Sequence, residues 1–240
     1  MKILYRISDG GHNKIKPDYV NNKERMFLHF LNRFRDHEIY VFTDNVKDET
    51  YSKIINHTKE ISNITVFRIS LGNGPSFMHA LDFAIKNFQD NDKIYFAEDD
   101  YIYTKKASEA IEDGLSIADY VSGYDHPDKY LNHNEGGPNP FIENGGEQTR
   151  VLLSKTSHWK ITNSCCMTFA TTVKTIKEDY SIFENCCRGS YPQDFRIFCD
   201  LRNYKSRKLI SAIPAVSTHG EIEWLSPFIN WEKEINESLE

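Results

Sequence analysis

Three consecutive carboxylates, Glu98-Asp99-Asp100, follow without a break on the short apolar run Ile94-Tyr95-Phe96-Ala97. A run of that kind reads as a strand buried on both faces. The acids are then set at its carboxyl end, where ligands bind in an open α/β sheet. Adjacent carboxylates held there call for a cation. Hard oxygen ligands select Mg or Mn, ions that take one or two carboxylates together with substrate phosphate oxygens. A nucleotide diphosphate is the matching substrate. The other reading is a solvated acidic turn of the kind common at strand ends.

Four further groups of residues carry candidate chemistry. Ser217-Thr218-His219-Gly220 holds a histidine whose neutral imidazole can bind Mn beside carboxylates, and a glycine that would let backbone approach a diphosphate. A histidine satisfied by hydrogen bonds in a turn is the alternative. Asp194, in Tyr191-Pro192-Gln193-Asp194-Phe195, opens a helical segment, where the helix dipole alone would favour an acid. Gly72-Asn73-Gly74-Pro75-Ser76 is a Gly-rich turn before a helix whose free N–H groups could face an anion, or else an ordinary strand-to-helix turn. Trp159, between His158 and Lys160, offers an aromatic face of the type on which sugar rings stack, unless it is packed in the core.

The elements that must position these groups alternate β-type and helical periods through the first hundred residues, the pattern of βα units building a mostly parallel sheet. Strands are predicted at 2–7, 38–43, 64–70 and 93–97. In the segment 21–35, Met26, Phe27, Phe30, Leu31 and Phe34 fall on one helical face; in 76–88, Phe77, Leu81, Ala84, Ile85 and Phe88 do the same. Weaker helices are expected at 47–57 and 107–118, before a short strand at 120–122. From 123 to 148 the composition turns to Gly, Pro, Asn, His and Asp, which reads as a long loop over an active site. Strands at 150–153, 166–169 and 208–213 and helices at 170–183 and 193–203 complete the expectation.

With 240 residues the chain reads as one α/β domain, 1–240, with a nucleotide-binding half (1–122) and an acceptor and catalytic half (123–240). Its net charge of -6 and scattered basic residues leave no phosphate-backbone footprint, so nucleic acid is not an expected partner. No run approaches the roughly 20 apolar residues of a transmembrane segment. The first strand begins at Lys2 with no room for a signal peptide, and the expected location is cytoplasmic. Five cysteines, including two vicinal pairs and no C-x-x-C, suit neither a disulfide framework nor zinc and read as reduced thiols.

The order of these motifs resembles the type A glycosyltransferases of the nucleotide-diphospho-sugar transferase fold over nearly the whole chain, in particular family-2-like inverting members. The resemblance implies a Rossmann-like single domain and a hexosyl- or pentosyltransferase that uses a nucleotide-sugar donor and a glycan or glycoconjugate acceptor, with Mn or Mg as cofactor. By the same resemblance Asp100 binds the metal with His219, while Glu98 and Asp99 belong to the donor site. Arg6, in Tyr5-Arg6-Ile7-Ser8-Asp9, and Asp44, in Phe42-Thr43-Asp44-Asn45, stand where members hold base and ribose. Asn73 lies beside the donor, Trp159 serves the acceptor, and Asp194 is the general base of an inverting reaction.

Two other classes stay open. A sugar-phosphate nucleotidyltransferase would use a similar sheet and metal, and Asp9-Gly10-Gly11-His12-Asn13-Lys14 partly echoes its Gly-rich phosphate loop. A non-catalytic nucleotide-binding module would keep the fold without turnover.

Overall fold

The computed structural model describes residues 1–10 and 15–240. Its first part alternates β1 (Lys2–Ile7), α1 (Lys23–Phe34), β2 (Glu38–Asp44), α2 (Asp48–Thr58), β3 (Ile64–Ile69), α3 (Asn73–Asn87) and β4 (Lys93–Glu98). There follow β5 (Tyr101–Tyr103), α4 (Ala107–Gly114), β6 (Tyr120–Ser122), β7 (Val151–Leu153), β8 (His158–Thr162) and β9 (Phe169–Thr172). The remainder is α5 (Val173–Cys187), α6 (Asp194–Lys205), β10 (Leu209–Ile213), β11 (Ser217–His219) and α7 (Trp231–Leu239).

The described residues build a nine-stranded sheet in the order β3-β2-β1-β4-β9-β6-β10-β8-β7, so one sheet runs through both expected halves. The β1–β2, β2–β3, β1–β4 and β6–β10 pairs are parallel, and only β9 and β8 run against the common direction. From β1 the chain winds outward to β2 and β3, then returns to place β4 on the other side of β1. That reversal opens a crevice above the carboxyl ends of β1 and β4.

The core explains why the first strands were legible. Alternate residues of β1 bury on opposite faces: Ile3, Tyr5 and Ile7 meet Phe27, Phe30 and Phe34 of α1, while Leu4 meets Phe77, Leu81 and Ala84 of α3. Tyr5 and Phe30 stack with ring centroids 4.1 Å apart. Asn22 caps α1 by accepting the Arg25 N–H at 3.0 Å.

The second part departs from the sequence expectation at several points. The strand expected at 166–169 begins at Phe169, because Cys166 and Met167 have φ of 50° and 58° and form a left-handed turn. The helix expected from 170 accordingly starts at Val173, and α4 stops at Gly114, where a Cβ would come within 2.7 Å of Val121 and 3.0 Å of Trp159. β5, β8, β11 and α7 carry no period long enough to read. The 123–148 stretch contains only the 3-10 turns Pro127–Tyr130 and His133–Glu135.

That stretch is tied down rather than open. Lys129, 1% exposed, donates to Asn163 Oδ1 at 2.8 Å, and Asn139 donates to the same oxygen at 3.1 Å. Lys160 reaches Asp125 at 2.8 Å and lies over the Tyr130 ring at 4.2 Å. Breaking such a buried network is costly, so these side chains anchor the loop to β8 and the residues after it.

His29 joins α1, β5 and α7. Its Nε2 accepts the Tyr103 N–H at 2.9 Å, which leaves the proton on Nδ1 to face Ser238 Oγ at 2.7 Å. Burial, reinforced by Arg33 and Arg25, lowers its pKa from 6.5 to about 3. Between those values the unfolded chain binds one proton more than the folded one, so stability rises with pH across that window and is fully present above about 6.5. Wild-type stability is therefore expected to fall by about 1.4 kcal/mol per pH unit below 6.5. Urea denaturation at pH 7, 6 and 5 checks this against His29→Gln, which should lack that component; equal slopes would rule it out.

Candidate functional site

Arg6 and Glu98 are register partners on β1 and β4 and face each other at the crevice. Arg6 Nε donates to Glu98 Oε1 at 3.1 Å, and Nη2 donates to the same oxygen. Nη1 donates to the Asn73 carbonyl and to Ser76 Oγ, both at 2.7 Å, and Nη2 to Asn73 Oδ1 at 3.0 Å. These bonds use every N–H of the guanidinium. Arg6, 6% exposed, thus has no donor left for a nucleotide; it fastens α3 to β4 and orients Glu98. Among the described residues Glu98 Oε2 receives no hydrogen bond, and Glu98 keeps 24% of its side-chain surface exposed. Burial raises the Glu98 pKa, with Arg6 opposing.

The other two acids have their own partners. Asp99 accepts the Ser8 N–H at 2.8 Å and pairs with Lys23 at 2.7 Å. Burial raises its pKa against the pull of Lys23. Asp100 Oδ2 lies 2.7 Å from Lys16 Nζ and 3.1 Å from His219 Nε2. Burial acts to raise the Asp100 pKa, but His219 and Lys16 outweigh it and hold the carboxyl well below its usual range, so it stays ionised. The chain thus supplies three cations of its own to the three carboxylates.

β5 and β11 bring His219 to Asp100. They pair antiparallel with His219 opposite Tyr101, and the Gly220 N–H donates to the Asp100 carbonyl at 2.8 Å. A Cβ at Gly220 would stand 2.6 Å from Val20 Cγ1 and 2.8 Å from that carbonyl, so this glycine serves the close approach of chain to chain. On the far side of the ring, Nδ1 lies 3.1 Å from Glu221 Oε1. A histidine placed between two carboxylates can donate from both nitrogens when protonated. With Nε2 deprotonated, it keeps the Glu221 bond and turns a lone pair toward Asp100.

This donor set fits a divalent ion. An imidazole fixed from behind by a carboxylate is the usual form of a metal-ligating histidine, and Asp100 supplies an ionised oxygen beside it. Among the described residues no group of three His, Cys, Asp or Glu is arranged to hold a metal. Two protein ligands suit Mg or Mn, which complete their shells with phosphate oxygens and water.

The remaining predicted residues divide between the crevice and the scaffold. Asn73, exposed at the first position of α3, adjoins Arg6. Asp44, 4% exposed, accepts the Leu71 N–H at 2.7 Å and the Gly72 N–H at 3.3 Å, and so shapes the turn ahead of α3. Asp9 caps α2, accepting the Lys47 N–H at 2.6 Å and the Thr50 hydroxyl at 3.0 Å; the rest of the phosphate-loop echo, Gly11 to Lys14, lies outside the described residues.

Asp194 is turned into the scaffold. Its Oδ2 accepts the Cys165 N–H and its Oδ1 the Met167 N–H, both at 2.9 Å, with Cys165 Sγ 3.5 Å from Oδ1. The carboxylate holds the left-handed turn before β9, a geometry that gives no support to a proton-accepting role. Trp159 is 0% exposed, its Nε1 donating to Ser154 Oγ at 2.8 Å, so it has no face open to a sugar. Strand alternation sends Trp159 into the core and Lys160 toward the loop. An open aromatic surface lies instead at Phe141, 64% exposed, whose ring centroid is 5.5 Å from that of Phe195 beside Asp194.

Sequence reasoning missed Lys16, Lys23, Ser76 and Glu221. Ser76 stood in the Gly-rich turn before α3 and Glu221 had a signal in its spacing two residues after His219; the lysines belong to no motif. Lys23 also borders a cavity of about 450 Å³ between α1 and α2 at the end of β1, lined by Ile7, Asn22, Thr50 and His57 among others. Three of the five cysteines are buried and all are free thiols. Among the described residues no helix is long and apolar enough to cross a membrane.

The architecture is α/β, with a large, mostly parallel central sheet. Among solved structures, HddC from Yersinia pseudotuberculosis is 16% identical, with 98% of each chain covered and a TM-score of 0.51. The galactosyltransferase LgtC, solved with donor and acceptor sugar analogs, is 11% identical over 88% of this chain and 73% of its own, with a TM-score of 0.47. The 4-diphosphocytidyl-2C-methyl-D-erythritol synthase of Anaerococcus prevotii DSM 20548 is 12% identical over 98% of this chain and 93% of its own, with a TM-score of 0.48. No family model and no curated protein matches the sequence. The likeness to HddC bears on the fold alone and leaves the reaction to the residues of the site.

Proposed function

We propose that this chain is a metal-dependent glycosyltransferase that moves a sugar from a nucleotide-sugar donor to a hydroxyl of a glycan or glycoconjugate. The observation that carries the reading is the Asp100–His219–Glu221 relay at the β1–β4 crevice. Asp100 and His219 would hold Mn or Mg, with Glu221 fixing the imidazole. A bound ion of this kind neutralises the charge of the departing diphosphate. Glu98, oriented by Arg6, presents its free oxygen to the ribose or to the ion's water shell. Asn73, at the amino end of α3, stands where helix amides favour phosphate. Phe141 and Phe195 offer the acceptor sugar the stacking surface that Trp159 lacks.

The test is a product assay with UDP-, GDP-, CMP- and dTDP-sugars and a panel of glycan acceptors, with Mn present or chelated. The expected result is Mn-dependent transfer with release of a nucleoside diphosphate or monophosphate. Pyrophosphate release from a nucleoside triphosphate and a sugar phosphate would assign the chain to the nucleotidyltransferases. Nucleotide binding without turnover would make it a binding module.

A further inference from the structure

The position read above as the metal's is already held by a cation of the chain. Lys16 Nζ is 2.7 Å from Asp100 Oδ2, the same oxygen that faces His219. Lys16 precedes Pro17 and the 3-10 turn Asp18–Val20 that leads into α1. The pair is largely shielded, with side-chain exposures of 20% for Lys16 and 18% for Asp100. Of the three internal cations, Arg6 cannot leave without breaking its bonds to Asn73, Ser76 and Glu98, and Lys23 serves Asp99. Lys16 has no hydrogen-bond or ion-pair partner other than Asp100 among the described residues. It is the cation that can be displaced.

We propose that Lys16 is an internal competitor for the metal, a positioning residue whose ammonium holds Asp100 until ion and nucleotide diphosphate arrive together. The inference rests on the metal reading of the site. An ion entering alone must break a shielded charge-assisted pair and leave the ammonium beside a second cation. An ion entering with a diphosphate brings phosphate oxygens, which complete the ion's shell and give the released ammonium a new anionic partner. Lys16 therefore weakens binding of the free ion far more than binding of the ion with nucleotide, and couples the two events.

The experiment is calorimetric titration of Mn, with and without UDP, into wild type, Lys16→Met, Lys16→Gln, Lys16→Arg and Asp100→Asn. Folding of each variant is checked by circular dichroism. Without UDP, Lys16→Met and Lys16→Gln are expected to bind Mn about tenfold tighter than wild type. With UDP the gain should shrink to about threefold or less. Lys16→Arg, which keeps the charge, should stay near wild type, and Asp100→Asn should bind no Mn at this site. The two neutral variants guard against one that fails to fold. Unchanged Mn affinity in a folded neutral variant, while wild type binds Mn through Asp100, overturns the proposal and leaves the metal reading standing. No Asp100-dependent Mn binding in any protein, with or without UDP, overturns both.

Discussion

Asp100→Asn should lower kcat/KM for sugar transfer by about a thousandfold, equivalent to about 4 kcal/mol of transition-state stabilisation. The substitution keeps the side-chain shape but removes the charge that Lys16 and His219 converge on. A neutral amide is a poor ligand for a hard divalent ion, so the departing diphosphate loses the charge that would neutralise it. The fold should survive, because the bond that joins β5 to β11 at this point uses the backbone carbonyl of Asp100. Steady-state kinetics across a Mn series measures the effect. An unchanged kcat/KM with the same Mn dependence would remove this carboxylate from the chemistry.

Asp194→Ala should lower stability by about 3 kcal/mol, since charge-assisted hydrogen bonds contribute about 1.5–3 kcal/mol each and two backbone amides would lose their acceptor. For a chain of this size that corresponds to a fall in Tm of about 6–12 °C. The turn at risk contains two successive non-glycine residues at positive φ, Cys166 and Met167, a conformation that persists only where its surroundings enforce it. A general base would behave differently: its removal would cost about 10²–10⁴ in kcat with Tm unchanged. Thermal denaturation and kinetics on the same preparation separate the two, and an unchanged Tm with collapsed kcat would restore the proton-accepting reading.

What could be read in advance depended on how local the determining interactions were. β1 to β4 were legible nearly to the residue because each is an apolar run whose two faces are covered by helices with their own apolar stripes. The acidic cluster was legible as a strand end at a crevice for the same reason. The pairing of the carboxylates with Lys16, Lys23 and Arg6 was not legible, because these reach them from segments 76 to 92 residues away. Arg6 stands beside Glu98, but its partners Asn73 and Ser76 arrive from the β3–α3 turn and were not legible as such. Asp194 looked like a first-turn acid and is one, yet its partners at 165 and 167 lie outside its helix. Trp159 was left between sugar stacking and core packing because a strand of five residues between loops gives too little alternation to say which side faces the core, and its burial decides for the core.

The three-residue ladder between β5 and β11 also sets an order in time. The ribosome releases the amino-terminal part of the chain first, so β1 to β4 and Asp100 emerge well before Ser217, Thr218 and His219. The strands that form the crevice have their helices and pairing partners early, whereas the imidazole joins Asp100 only after residues 217–219 have paired with 101–103. The Asp100–His219 pair is thereby completed late, with the carboxyl-terminal segment.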